Sequence, residues 1–284
     1  MPDHARPLDG HPRHRCRIPA RTAERAVQIS ADRLNRYVDH QTLSAFPYRG
    51  NMLQSAEQIA ANLATVRQRI AAACELAGRA ADSVTLIAVS KGFGPEAIDA
   101  ATAAGQRHFG ESYLQESLGK IAAHPGADLT WHFIGPMQSN KTRAVAEHFD
   151  WAHSVDRLKI AQRLSEQRPA QRPPLNVCIQ VNVSGEASKS GCMPAEALAL
   201  CEAVAAMPNL RLRGLMAVPA PAVGADAARP PFRRLFELYQ SVRERVAGID
   251  TLSAGMSGDL EAAIMEGSTM VRIGTAIFGT REYR

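Results

Sequence analysis

Lysine is nearly absent from this chain. Only five lysines (Lys91, Lys120, Lys141, Lys159 and Lys189) stand among the 33 basic residues, so arginine carries almost all of the positive charge. Long apolar runs are missing too. No stretch approaches the ~18 uninterrupted apolar residues that a membrane helix requires, and the N-terminus has no apolar signal-peptide core. A cytoplasmic protein without membrane partners is expected. The formal charge of +5 and pI near 9.1 raise the question of nucleic acid, but the aromatic residues, 5% of the chain, are not interleaved with the basic ones, and no nucleic-acid motif supports that reading. The five cysteines (Cys16, Cys74, Cys178, Cys192, Cys201) form neither a CxxC pair nor a zinc-spaced ladder, so reduced, mostly apolar thiols are expected. His11, His14 and Cys16 are the tightest candidate ligand set, and no strand or helix pattern frames them.

Hydrophobic residues at 45% and charged residues at 21% supply a large core. Composition changes near Asn51. Residues 1–51 hold nine arginines, no lysine and five acidic residues, so most of the net charge belongs to this segment, which reads as a flexible or weakly helical basic extension. From Met52 to the end the pattern is regular. Ile59, Leu63, Val66 and Ile70 recur at helical spacing within Gln54–Leu76, and Gly78 is placed to stop that helix. Short β-branched or apolar runs follow at Val84–Val89, Arg107–Phe109, Thr130–Ile134, Trp151–Ser154, Val177–Val183, Leu212–Val218, Thr251–Ala254 and Met270–Ile273. Helix-patterned segments separate them at Pro95–Ala104, Tyr113–Ala123, Lys141–His148, Arg157–Gln167, Pro194–Met207, Phe232–Val246 and Gly258–Glu266. Eight strands alternating with helices predict an α/β fold, a (β/α)8 TIM barrel with an extra N-terminal helix. An open doubly wound sheet is the alternative, because closure is not visible in a pattern.

A barrel builds its active site from the residues that follow each strand. Lys91 directly follows the first strand. Its amine would start at the barrel mouth, where desolvation lowers an amine pKa and makes it nucleophilic. Lys120 and Lys159 fall within helical segments and are expected to be surface charges. After the seventh strand comes Ser257-Gly258, and the eighth ends in Arg272-Ile-Gly274-Thr275, which together make a candidate anion cradle at the place where many barrels bind phosphate. A reactive lysine facing a phosphate cradle suggests pyridoxal 5'-phosphate (PLP). Gly135-Pro-Met-Gln-Ser-Asn-Lys141-Thr142 resembles a nucleotide-binding P-loop, but Asn140 replaces the glycine that lets the backbone curl around phosphates.

The runs Ala88-Val-Ser-Lys91, His108-Phe-Gly-Glu111, His132-Phe-Ile-Gly-Pro-Met-Gln-Ser-Asn-Lys141, His153-Ser-Val-Asp156, Gln180-Val-Asn-Val183, Gly214-Leu-Met216, Gly255-Met-Ser-Gly-Asp-Leu260 and Gly267-Ser-Thr-Met-Val-Arg-Ile-Gly-Thr-Ala-Ile-Phe-Gly279 resemble the PLP homeostasis protein family. The resemblance runs from Met52 to the C-terminus. It implies a barrel like the N-terminal domain of alanine racemase, with PLP held as a Schiff base on Lys91. It further implies that Ser257, Gly258, Gly274 and Thr275 hold the phosphate, that Arg272 approaches the pyridine nitrogen, and that Asn182, Met216, His132 and Ser154 line the pocket. Ser112 departs from the family pattern, which commonly has Asn there. Residues 1–51 match nothing in the family; Met52 is either the natural start or the extension is an appendage.

A two-base racemase needs an acid/base group on each face of its cofactor, and alanine racemase-like enzymes take one from an additional β-domain. With Arg284 the last residue, no such domain is expected. An arginine against the pyridine nitrogen would also keep that nitrogen unprotonated and the ring a poorer electron sink. A carrier in vitamin B6 homeostasis is therefore expected, without amino-acid enzyme activity and without catalytic or metal-ligating residues. PLP-dependent apo-enzymes are the expected acceptors, and the resemblance implies a monomer. The alternative is a PLP-dependent racemase or lyase, with His132 and His153 as acid/base groups.

Overall fold

A computed structural model describes residues 54–186, 189–220 and 225–280. The basic extension, and with it His11, His14 and Cys16, lies outside these residues. Among the described residues no group of acidic, histidine or cysteine side chains could hold a metal ion, and no helix is long and apolar enough to cross a membrane.

The chain enters through helix α1 (Ala56–Leu76), where the Ser55 hydroxyl accepts from the Gln58 amide at 3.2 Å, an N-cap that satisfies a donor the helix leaves open. The predicted apolar stripe is buried and extends through Ala73 and Cys74. Eight parallel strands follow: β1 (Thr85–Val89), β2 (His108–Glu111), β3 (Thr130–Phe133), β4 (Trp151–Val155), β5 (Leu175–Gln180), β6 (Leu210–Met216), β7 (Thr251–Ser253) and β8 (Met270–Ile273). They form a closed barrel in chain order. β8 pairs with β1 from Thr85↔Met270 to Ala88↔Ile273, which excludes the open sheet. Helices α2 (Pro95–Ala103), α3 (Leu114–Ala123), α4 (Thr142–His148), α5 (Leu158–Gln167), α6 (Pro194–Ala205), α7 (Ala225–Arg245), α8 (Leu260–Met265) and α9 (Thr275–Phe278) surround it.

Strand alternation sorts the core into two layers. Leu86, Ala88, Phe109, Phe133, Ala152 and Ile179 belong to the large cluster shared with the helices, whereas Ile87, Trp151, Cys178, Met216 and Met270 form a small cluster inside the barrel. Helix α1 packs on α2, α8 and α9, over the seam where the last strand meets the first. There Asn62 donates to the Ile277 carbonyl at 2.8 Å, and Arg69 pairs with Glu261 at 2.7 Å while reaching the Ser257 carbonyl at 3.1 Å.

Differences from the predicted elements lie mostly at their ends. Helix α7 begins at Ala225, ahead of the expected Phe232, although Pro230 and Pro231 interrupt its hydrogen bonding. Its first turns are held from outside, since Arg229 and Arg233 both pair with Glu266, at 2.7 and 3.0 Å. The fifth strand ends at Gln180, not Val183; beyond it Val181 bridges Cys192. Helix α9 was not expected, because four residues are too short to show a period. Gly214 sits where the β5–β6 register shifts. Its φ is +154° and a Cβ there would overlap the Thr251 carbonyl, so only glycine fits.

Candidate functional site

The mouth of the barrel is built by the turns after the strands. Ile87 belongs to the cluster inside the barrel, and Lys91, half-buried, stands two residues after Val89 in the turn that follows β1. Ser90, between them, turns outward, where its hydroxyl donates to Glu111 Oε1 at 2.6 Å. Gly274, which starts α9, lies against β1: a Cβ there would come within 3.2 Å of the Val89 carbonyl. The turns after β7 and β8 also meet, since Ser257 Oγ accepts from the Ala276 amide at 3.4 Å. Gly258 and Thr275 are exposed, and a Cβ at Gly258 would meet open space. The sequence-predicted residues of strands one, seven and eight are thus neighbours. Helix α8 starts at Leu260 rather than Gly258, with Asp259 accepting from the Met256 amide.

Arg272 is buried inside the barrel, donating to Ser253 Oγ at 2.7 Å and to the Ala217 carbonyl at 2.9 Å. Burial lowers its pKa to about 10, partly offset by Asp259, so it stays protonated at neutral pH. From Ser253 a chain of side chains crosses the barrel: Ser253 Oγ to His153 Nδ1 (2.9 Å), His153 Nε2 to His132 Nδ1 (2.9 Å), and His132 Nε2 to His108 Nδ1 (3.0 Å). Guanidinium can only donate, so a Ser253 proton directed at His153 Nδ1 lets each imidazole donate from Nε2 to the next. Burial, followed by the positive Arg272, drives the His153 pKa down to about 3. Burial likewise holds His132 well below the usual histidine range. Both rings are neutral at neutral pH.

The predicted pocket residues therefore divide. Met216 is buried beside Ile87 and Trp151. Ser154 Oγ and Asn182 Oδ1 are buried and have no hydrogen-bond partner, although Asn182 Nδ2 holds its own loop through the Glu186 carbonyl at 2.8 Å. His132 has both ring nitrogens engaged by other imidazoles and is stacked on Trp151. Ser112 is buried, with Gly135 close against its carbonyl. In the P-loop-like segment the buried Thr142 hydroxyl lies within hydrogen-bond distance of the Ser139 carbonyl and Gln167, so it is taken up by its own fold.

Lys159 is exposed as expected. Lys120 is not: it is 2% exposed and contacts Glu111 Oε1 at 2.7 Å, the Ser90 carbonyl at 2.7 Å and Glu116 Oε1 at 2.5 Å. The expectation fails because two of the three acceptors that make burial tolerable, the Ser90 carbonyl and Glu111, lie on other elements. Burial pushes the Glu111 carboxyl up, and Lys120 opposes the shift. Ser253, His108 and Lys120 carried no signal in the sequence, since each reads as an ordinary strand or helix residue.

Residues 55–282 match the family model described as alanine racemase, N-terminal domain. The chain is 62% identical over 225 residues to the pyridoxal phosphate homeostasis protein of Pseudomonas aeruginosa, covering 79% of this chain and 96% of that one. It is 55% identical over 228 residues to the protein of the same name from Escherichia coli, covering 79% and 97%. Among solved structures it is similar to PipY of Synechococcus elongatus with PLP bound, with a TM-score of 0.68 and 35% identity over 78% of this chain and 100% of that chain. With the closed barrel, the lysine turn after its first strand and these matches along nearly its whole described length, the chain belongs to the pyridoxal phosphate homeostasis protein family, built on the alanine racemase N-terminal-domain fold.

Proposed function

We propose that this protein binds PLP in the barrel mouth as a Schiff base on Lys91 and serves intracellular vitamin B6 homeostasis as a carrier, without amino-acid enzyme activity. The observation that carries the reading is the pair of buried, unpartnered acceptors, Ser154 Oγ and Asn182 Oδ1, at the same end of the barrel as the Lys91 turn and Arg272. Buried polar atoms without partners are costly, and a polar ring entering the mouth would relieve that cost. When bound, PLP supplies an aldehyde for capture by a lysine amine and a ring that withdraws electrons. Ser257, Gly258, Gly274 and Thr275 offer hydroxyl and backbone N–H donors to its phosphate on two adjoining turns. Met216 forms an apolar wall. Arg272, held in place by Ser253 and Ala217, presents a fixed positive charge where the ring nitrogen would lie and gives up no proton to it.

The absence of enzyme activity is supported by the histidines. A general acid or base must have a free nitrogen near the reacting atoms and a pKa near the working pH. His132 and His153 are buried, neutral and bonded to each other. The same proposal has the protein act as a cytoplasmic monomer and hand PLP to PLP-dependent apo-enzymes.

Absorbance tests the reading. The purified protein is expected to show a visible band that borohydride fixes onto Lys91, and Lys91→Ala is expected to abolish it; an unchanged band in that variant overturns the assignment. To separate carrier from enzyme, the loaded protein is incubated with a panel of amino acids in deuterated solvent. Rapid α-proton exchange with any of them would establish the racemase or lyase reading instead.

A further inference from the structure

Resting on that reading, the buried Lys120 has a role of its own. Ser90, Lys91, Gly92 and Phe93 form a β-turn closed by the Phe93 amide donating to the Ser90 carbonyl at 3.1 Å. Gly92 has φ +80°, whereas Lys91 is not in the positive-φ region. This is a type II turn with Lys91 at its second position, and such a turn demands glycine at the third. Both neighbours of Lys91 are anchored from outside the barrel. The Ser90 carbonyl accepts from Lys120 at 2.7 Å, and the Ser90 hydroxyl donates to Glu111 at 2.6 Å. The Gly92 amide donates at 2.7 Å to Glu116 Oε1, the same atom that Lys120 contacts at 2.5 Å.

Three oxygens from three segments thus meet the three protons of one ammonium group. Arginine, with a planar fork of five donors, does not match that tripod, so a lysine here makes sense in a chain that otherwise uses arginine. Stability alone does not explain it. A buried ion cluster is often no more stable than apolar side chains of the same volume, because desolvation cancels much of the attraction. What the cluster does provide is a defined geometry for the turn that carries Lys91.

We propose that Lys120, together with Glu111 and Glu116, is a positioning residue for Lys91: clamped from behind the barrel wall, the turn presents the Lys91 amine at one fixed place in the mouth. Lys120 makes no contact with the ligand in this scheme. Its removal should therefore weaken covalent capture of PLP and leave recognition of the phosphate and ring intact.

The experiment compares two probes on the full chain: PLP, and pyridoxine 5'-phosphate, which has an alcohol in place of the aldehyde and cannot bond to Lys91. Lys120→Met combined with Glu111→Gln removes both buried charges together; Glu116, which is partly exposed, keeps the Gly92 amide as its donor. PLP affinity is expected to fall about tenfold, with a matching loss of the borohydride-fixed band, while pyridoxine 5'-phosphate affinity changes less than about twofold. Equal weakening of both probes marks a general structural defect and overturns the proposal, as does unchanged PLP affinity. If the double variant does not fold, Glu116→Ala, which frees the Gly92 amide and leaves the Lys120–Glu111 pair, carries the same comparison with the same two overturning results. Failure of the wild-type protein to form a Lys91-dependent band would instead sink the functional reading, and this proposal with it.

Discussion

What surrounds a titratable side chain decides the part it can play. The Lys120 nitrogen is buried and engaged by three oxygens, which suits Lys120 to a structural place. The same logic applies to sulfur. Burial pushes the Cys192 thiol up to about 11 and Cys201 up to about 12, with Glu196 and Cys192 respectively adding to the effect, and it raises Cys178 further still. Thiols so far from ionisation are poor nucleophiles. Iodoacetamide at pH 8 is expected to leave Cys178, Cys192 and Cys201 unmodified in the native protein and to label all three after guanidinium unfolding, as read by peptide mass spectrometry; rapid native labelling of any of them contradicts this. At this scale the sequence was informative where a residue's role follows from its place after a strand. The placement of Lys91, Ser257 and Gly274 in turns after strands was legible for that reason. Lys120 was misread because helical periodicity counts lysine as polar, while the buried face of α3 carries Ser117 and Lys120.

At the scale of elements, the apolar stripe of α1 and the eight short apolar runs were legible because one buried face imposes a period. The ends were less so. Where α7 starts depends on Arg229 and Arg233 finding Glu266 across a gap of more than thirty residues, and no local pattern records that. Gly214 shows the converse, a single residue on which two strand pairings depend. With β6 paired to β5 through a register shift and to β7 at Gly214↔Thr251, a methyl group there would have to displace backbone. Gly214→Ala is expected to lose more than about 3 kcal/mol, or to fail to accumulate as folded protein. Gly258→Ala, where a Cβ meets open space, is expected to change thermal stability by less than about 1 kcal/mol. Equal melting temperatures for the two variants would refute this account of β6.

For the whole molecule, the imidazole chain links histidines of β2, β3 and β4 to β7 and β8 across the barrel interior. Its stability consequence has a definite sign. The native pKa values of His132 and His153 lie below the unfolded value of about 6.5, so below that pH the unfolded chain binds protons that the native barrel refuses. Stability is then full above pH ~6.5 and declines as the pH falls from there towards about 3, where His153 itself protonates. The slope is on the order of 1 kcal/mol per pH unit for each histidine. Urea unfolding midpoints measured between pH 7.5 and 5 are expected to fall accordingly, and less steeply in His132→Gln. A flat wild-type profile would exclude the neutral buried chain.

The sequence by itself determined the alternation of strands and helices, the extra first helix, and the turns that surround the mouth, because each follows from local periodicity or from a residue's position next to a strand. Closure of the sheet, the burial of Lys120 between β2 and α3, and the line of hydrogen bonds from Arg272 to His108 were decided only by the tertiary structure. The physical reason is the same in each case. A pairing between distant strands, and the partner that makes a buried charge tolerable, are properties of residues far apart in the chain, and they exist only once the barrel has brought those residues together.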